Sequence, residues 1–241
     1  MAYRHVTERA DFTDLASGQV LRSAPGFPGF PVRLASELLQ RALAHLPQRP
    51  VSLWDPCCGS GYLATVLGLS HRDRLSHVRV GDVDSDAVAL AARNLELLTV
   101  EGLAAREREL RAHAEEYGRP SFLERARAAA RLADGLVALG GDLPHAVEVA
   151  DVFAPRRPRP AVDVVVTDVP YGDLTHWAGD RPAGEPVTGL LRTLAGVLED
   201  HAVLVVTART RKIALPEGVR PLERVRVGNR AAVVVRAARL R

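Results

Sequence analysis

Val51-Ser-Leu-Trp-Asp-Pro-Cys-Cys-Gly-Ser-Gly61 is the stretch on which the fold depends. Val51 to Trp54 reads as an apolar strand that runs into Asp55 and then into a turn holding Gly59 and Gly61. Glycines in such a turn let backbone approach a ligand where a side chain would collide, and the helix that follows presents free N–H groups beside the same spot. A nucleotide-like ligand is the first expectation. The plainer reading is a glycine turn made tight for steric reasons alone.

Downstream, Leu63, Val66, Leu67 and Leu69 continue as a helix, and a strand over residues 77–81 ends at Asp82-Val-Asp84. Ser85 or Asp86 is placed to cap the next helix, through Val88, Ala92 and Leu95. Strand, glycine turn, helix, strand and acidic end is the order of a nucleoside site in an open α/β sheet, where the acid accepts hydrogen bonds from ribose hydroxyls. The GxGxxG of a plain dinucleotide fold is absent. Upstream, residues 33–46 form an amphipathic helix closed by Pro47 and Pro50. Before it, Pro25-Gly-Phe-Pro-Gly-Phe-Pro31 is a stiff loop whose Phe27 and Phe30 either pin the arm to the core or stack on a substrate.

Residues 99–145 break the alternation with two helical stretches, 103–116 and 122–139, and Ser121 is placed to cap the second. Too long for a connection and too apolar for a linker, the segment is expected to pack at the rim of the sheet, covering its edge or shaping an entrance. Alternation resumes at 146–150, which leads into Asp151-Val-Phe153. The run 162–167 is so rich in β-branched residues that it belongs in a sheet centre covered on both faces, and it ends in Asp168-Val-Pro-Tyr-Gly172. A helix over 187–198, a strand over 201–207 and a hairpin around Gly228-Asn229 complete one domain, 1–241, with an arm and helix at 1–47 and a helical insertion at 99–145.

The net charge is only +3, but from Arg209 onward Arg209, Arg211, Lys212, Arg220, Arg224, Arg226, Arg230, Arg236, Arg239 and Arg241 face only Glu217 and Glu223. That suits a polyanionic partner, or reflects an arginine-rich composition. Cys57 and Cys58, the only cysteines, are adjacent and supply neither a disulfide framework nor a complete structural zinc set. A cytoplasmic protein without a membrane partner is expected, because no apolar run is long enough for a signal peptide or a span.

Asp55, Asp82 and Asp151 as acidic strand ends, followed by Asp168-Val-Pro-Tyr-Gly172, stand in an order that resembles the class I S-adenosylmethionine-dependent methyltransferases. More narrowly, the chain is similar to the avilamycin-resistance rRNA methyltransferase family through Ser23-Ala-Pro-Gly-Phe-Pro28, Trp54 to Tyr62, Asp82-Val-Asp84, Asp168 to Asp173, Thr175-His-Trp177 and Arg209-Thr-Arg-Lys212. The resemblance implies a Rossmann-like α/β fold with a seven-stranded, mostly parallel sheet, an antiparallel last strand and a helical insertion. It also implies a monomer that needs no metal and uses S-adenosylmethionine to methylate a guanosine base in 23S rRNA, free or in the large ribosomal subunit. Resistance to orthosomycin antibiotics such as avilamycin would follow.

By that resemblance Asp55, Cys57, Gly59, Gly61, Asp82, Asp84, Asp151, Val152 and Asp168 surround the cofactor. Asp82 is preferred to Asp84 at the ribose because it directly follows the strand. Asp168, Pro170 and Tyr171 hold the acceptor base, and Arg33, His176, Trp177, Arg209, Arg211 and Lys212 touch RNA. Similar Asp/Asn-Pro-Pro-Phe/Tyr loops serve methylation of exocyclic amines, but Val169 departs from that pattern and a guanine ring nitrogen stays open. Cysteine nucleophile chemistry is disfavoured, since Tyr171 stands where pyrimidine C5 methyltransferases carry their cysteine. The rival readings are a methyltransferase of amines on tRNA, protein or small molecules, and a non-catalytic RNA-binding module.

Overall fold

The computed structural model describes residues 3–8, 10–16, 18–157, 161–169 and 185–241. Its strands are β1 (Val51–Asp55), β2 (Leu75–Asp82), β3 (His145–Val149), β4 (Val164–Asp168), β5 (Val203–Ala208), β6 (Glu223–Val227) and β7 (Arg230–Arg236). They form one sheet in the order β3-β2-β1-β4-β5-β7-β6. β3, β2, β1, β4 and β5 are parallel, and β7 runs antiparallel to both of its neighbours. The Rossmann-like methyltransferase sheet expected from the sequence is therefore present, with its reversed last strand.

Alternate residues of a strand point to opposite faces, and here both faces are covered. Leu53, Val164, Val166, Val203 and Val205 enter one core with α1 (Val32–Leu43), α2 (Tyr62–Ser70) and α3 (Ser85–Leu95). Trp54, Val165, Leu204, Val206 and Val233 enter the other, against α6 (Pro186–Val197). Truncating a fully buried member such as Leu53 to alanine removes about 2–5 kcal/mol. α1 ends before the residues expected from periodicity. Its last turn tightens into i→i+3 bonds, His45 N–H to Ala42 and Leu46 N–H to Leu43, ahead of Pro47.

The insertion is a pair of helices, α4 (Val100–Tyr117) and α5 (Pro120–Ala138). Gly118 closes α4 in the left-handed region at φ +60°, and Pro120 opens α5 at its first turn, so Ser121 lies inside the helix and does not cap it. Leu103, Leu110, Ala126, Ala129 and Leu136 bury the inner faces in the main core. The pair also grips the N-terminal segment. Arg106 donates to the Val20 carbonyl at 2.9 Å, Arg22 meets Glu109 at 2.6 Å, and Arg131 meets Asp14 at 2.7 Å.

A second anchor holds the first residues of the arm. Glu37, fully buried on α1, accepts the backbone N–H groups of Arg4, His5 and Val6 at 2.7, 2.8 and 2.9 Å and the Arg41 guanidinium at 2.7 Å. Burial alone would raise its pKa, yet these donors outweigh it and hold the group below the ordinary carboxylate value. Among the described residues no helix is long and apolar enough to cross a membrane.

Candidate active site

Five parallel strands deliver their carboxyl ends to one rim, and a cavity of about 490 Å³ opens there. The turn after β1 forms its floor, Asp82 to Asp84 and Ala150 to Val152 form one wall, and Asp168 with Val169 forms the other. Pro25, Gly26, Phe27, Pro28 and Phe30 of the arm complete the lining.

Backbone bonds lock these segments together. The turn is tied to β2 by Cys58 N–H to Gly81 at 2.9 Å, and the end of β3 is tied back by Ala150 N–H to Asp82 at 2.9 Å. Val169 N–H continues the β4–β5 pairing to Thr207 at 2.9 Å, which fixes the backbone on both sides of Asp168. Gly59 has φ +51°, and its N–H donates to Asp82 Oδ2 at 2.8 Å. Asn94, fully buried on α3, ties arm to turn. Its amide donates to the carbonyls of Arg22 at 3.0 Å and Ser60 at 2.9 Å, and its oxygen accepts the Arg22 N–H at 2.7 Å.

Of the cofactor residues expected from sequence, Asp55, Cys57, Gly59, Asp82, Asp84, Asp151, Val152 and Asp168 line this one cavity. Gly61 does not. It starts α2 at φ +70°, and a Cβ there would stand 3.0 Å from Cα and Cβ of Ala91, so its missing side chain is required by the packing of α3. Asp84 also serves its own helix. Its carboxylate caps α3, accepting from Asp86 and Ala87, in place of the Ser85 or Asp86 cap expected. Asp151 accepts the Phe153 N–H at 2.8 Å, shaping its loop.

Asp55 is almost fully buried, and burial, with like charge from Asp82 and Asp168, pushes its pKa up to about 7. Asp168 is raised to about 6, again by burial, with Arg230 and Arg209 pulling the other way. Burial also lifts the thiols of Cys57 and Cys58 well above the ordinary value, and the neighbouring carboxylates add to the lift. Both stay protonated at neutral pH, as poor nucleophiles.

The RNA-contact residues expected from sequence divide. Arg33 is engaged elsewhere: its guanidinium donates to the carbonyls of Val6 at 2.8 Å and Thr7 at 2.9 Å and stacks 4.1 Å from the Tyr3 ring. Arg209, Arg211 and Lys212 are exposed in the loop after β5, on the cavity side of the sheet. Pro170, Tyr171, His176 and Trp177 lie outside the described residues. Much of the C-terminal basic surplus is structural. Arg224, Arg236 and Arg239 donate to backbone carbonyls, Arg241 to carbonyls and Asp200, and Arg230 to Asp168.

Arg230 is the site residue that sequence reasoning missed. It is 4% exposed, meets Asp168 Oδ1 at 2.5 Å and lies 4.6 Å above the Phe30 ring. The signal was its place: the first residue of an antiparallel last strand must fall beside the carboxyl ends of the parallel ones. Phe30 unites its two readings, being buried in the core while it lines the cavity. Among the described residues no group of three His, Cys, Asp or Glu is arranged to hold a metal ion.

Comparison with known proteins gives this geometry relatives. The family described as rRNA methyltransferase AviRa matches residues 1–230. The 23S rRNA (guanine(2535)-N(1))-methyltransferase of Streptomyces viridochromogenes is 58% identical over 243 residues, covering 98% of this chain and 96% of that protein. The solved structure of rRNA methyltransferase aviRa from Streptomyces viridochromogenes matches with a TM-score of 0.93 at 57% identity, covering 100% of this chain and 98% of that one.

Proposed function

This chain belongs to the AviRa family of rRNA methyltransferases, and we infer from that membership and from the cavity that it transfers a methyl group from S-adenosylmethionine to a guanine base of 23S rRNA. The donor supplies a methyl group already activated on a sulfonium, so what is left to the protein is placement, alignment and proton handling. The residues present fit that donor. At about 490 Å³ the cavity is of ligand size. Gly59 puts bare backbone into its floor, Asp82 offers acceptors to a ribose diol, and Asp151 offers one to an adenine amino group. The carboxylates of Asp55, Asp82, Asp84, Asp151 and Asp168 along its floor and strand-end walls favour a cation.

N1 of guanine is the acceptor named for the Streptomyces relative, and we assign the same atom here. In the neutral base that nitrogen carries hydrogen and its electron pair is delocalised into the ring. Transfer therefore requires the N1 proton to leave as the N–CH3 bond forms, while the carbon–sulfur bond breaks and its pair stays on sulfur. Asp168 is the proton acceptor. It faces the cavity, and with a pKa raised to about 6 it is ionised at neutral pH yet basic enough to share the proton. We assign Pro170 and Tyr171 the role of holding the base, which leaves its own helix to reach the site. Arg209, Arg211 and Lys212 hold flanking phosphates. The enzyme acts as a single copy in the cytoplasm, and the modification gives resistance to orthosomycins such as avilamycin.

The placement of Asp168 carries this reading. Tritiated S-adenosylmethionine, offered with 23S rRNA and with large ribosomal subunits, should label one guanine, and mass spectrometry should place the methyl on N1. Asp168→Asn should cut transfer by about a hundredfold or more while RNA and donor still bind. A protein that binds donor and labels no form of the RNA would overturn the reading, and label on an exocyclic amine would overturn the choice of atom. Expression in an avilamycin-sensitive bacterium should raise its tolerance.

A further inference from the structure

We propose that Arg230 is the positioning residue for Asp168, keeping that carboxylate charged and aimed into the cavity through a chain Phe30–Arg230–Asp168 that links the N-terminal arm to the acceptor end of the site. The proposal rests on reading Asp168 as the proton acceptor.

Topology brings the three together. Gly228, at φ +59°, turns β6 back into β7, and the antiparallel pairing of β7 on β5 sets Ala231 opposite Ala208. Arg230 thus lies level with the end of β5, where the neighbouring β4 ends in Asp168. The guanidinium takes Asp168 Oδ1 at 2.5 Å and is held 4.6 Å over Phe30, itself part of the cavity lining. Arg230 is absent from that lining, so it acts through the carboxylate.

An arginine in this position does what a lysine would do less well. Its planar fork fixes the carboxylate plane and stacks on an aromatic face. Without it, a largely buried carboxylate would lose its nearest counter-charge and take up a proton. Among the described residues, the charged groups facing Asp168 are Arg230 from β7, Arg209 from the loop after β5 and Asp55 from β1. Two cations oppose one anion, and the buried cation is Arg230. After transfer the proton on Asp168 passes to solvent and the ion pair re-forms.

Two measurements test this on the full chain. The first needs no RNA: titration of carbon-13-labelled aspartate by NMR should show Asp168 ionising at higher pH in Arg230→Met than in the parent, with Arg230→Lys between them. The second is single-turnover transfer to 23S rRNA across pH. In Arg230→Met the rate at neutral pH should fall by about tenfold to a hundredfold, with the acid limb moved to higher pH and donor affinity kept. Arg230→Lys should recover part of the rate and return the limb. Phe30→Leu, which removes the stack on Arg230 and keeps an apolar side chain in the core and the cavity wall, should give a smaller change of the same kind.

An Asp168 titration that does not move overturns the proposal whatever the RNA assay shows. So does a loss of rate that is equal at every pH and accompanied by lost donor binding and a lowered melting temperature, since that is a purely structural role. If Asp168 titrates as expected but the parent protein methylates no RNA, the positioning role stands and the functional reading falls.

Discussion

Asp82 Oδ2 accepts the Gly59 N–H at 2.8 Å, so the acidic end of the second strand and the glycine turn after the first form one unit. Its other oxygen accepts the Asp84 N–H at 3.2 Å. Asp82→Ala therefore removes both an acceptor for the donor's ribose and the support of the turn below it. Affinity for S-adenosylmethionine should fall by about tenfold to a hundredfold, while Asp82→Asn, which keeps one acceptor oxygen, should lose less. Calorimetry decides, and parental affinity in the alanine variant would remove Asp82 from the binding site.

The two glycines of that turn should fail in different ways. Gly61→Ala places a methyl 3.0 Å from the α3 backbone at φ +70° and should cost about 2 kcal/mol or more of stability. Among the described residues Gly59→Ala meets only Phe27, at an ordinary 3.6 Å, so its left-handed strain of about 1–2 kcal/mol is the smaller stability effect. Its loss should appear chiefly in donor binding. Thermal melts paired with calorimetry separate the two, and equal losses of stability would contradict the distinction.

Local signals account for what could be read in advance. Period-two runs such as Val162 to Thr167 and the order of acidic strand ends are short-range patterns, and they located the sheet and most of the cavity. What stayed hidden depends on residues distant in sequence. Arg230 meets Asp168 across 62 positions and Asn94 meets Arg22 across 72, and no window of sequence contains either pair. Arg33 looked available to RNA because its acceptors are carbonyls of the arm, which any sequence possesses. Gly61 looked like a ligand contact because steric need and ligand approach select the same residue.

Asp55 and Asp168, held at about 7 and about 6 chiefly by burial, give the protein a pH dependence of definite sign. A carboxyl that is harder to ionise when folded contributes stability fully present below the ordinary carboxylate range and lost as pH rises through 6 and 7. Glu37 and Asp163, whose values are lowered against the effect of burial, act oppositely, at lower pH. Asp55→Asn should thus gain in melting temperature relative to its parent as pH climbs from about 5 to 8, and a difference constant with pH would contradict this.

Donor binding should show the complementary trend. A cation prefers these carboxylates ionised, so affinity for S-adenosylmethionine should rise with pH, by at most about tenfold per unit for each proton released. The demethylated product, a neutral thioether, should rise less steeply. Parallel slopes for the two ligands would mean that the carboxylates do not sense the sulfonium charge.

Arg33 and the loop after β5 offer a last contrast, because both are basic and only the loop presents its charges to solvent on the cavity side. Arg33 holds the carbonyls of Val6 and Thr7, so Arg33→Ala should loosen the arm, lower the melting temperature and speed cleavage near the N-terminus. RNA binding should keep its salt dependence. Arg211 and Lys212 are exposed, and replacing both with alanine should leave the melt unchanged, weaken RNA binding and flatten the log–log salt dependence by roughly 1.5. Arg209 is left in place because its charge reaches Asp168. A filter-binding series over salt concentration reads both variants, and a salt slope that changed as much in Arg33→Ala as in the double variant would return Arg33 to the RNA interface.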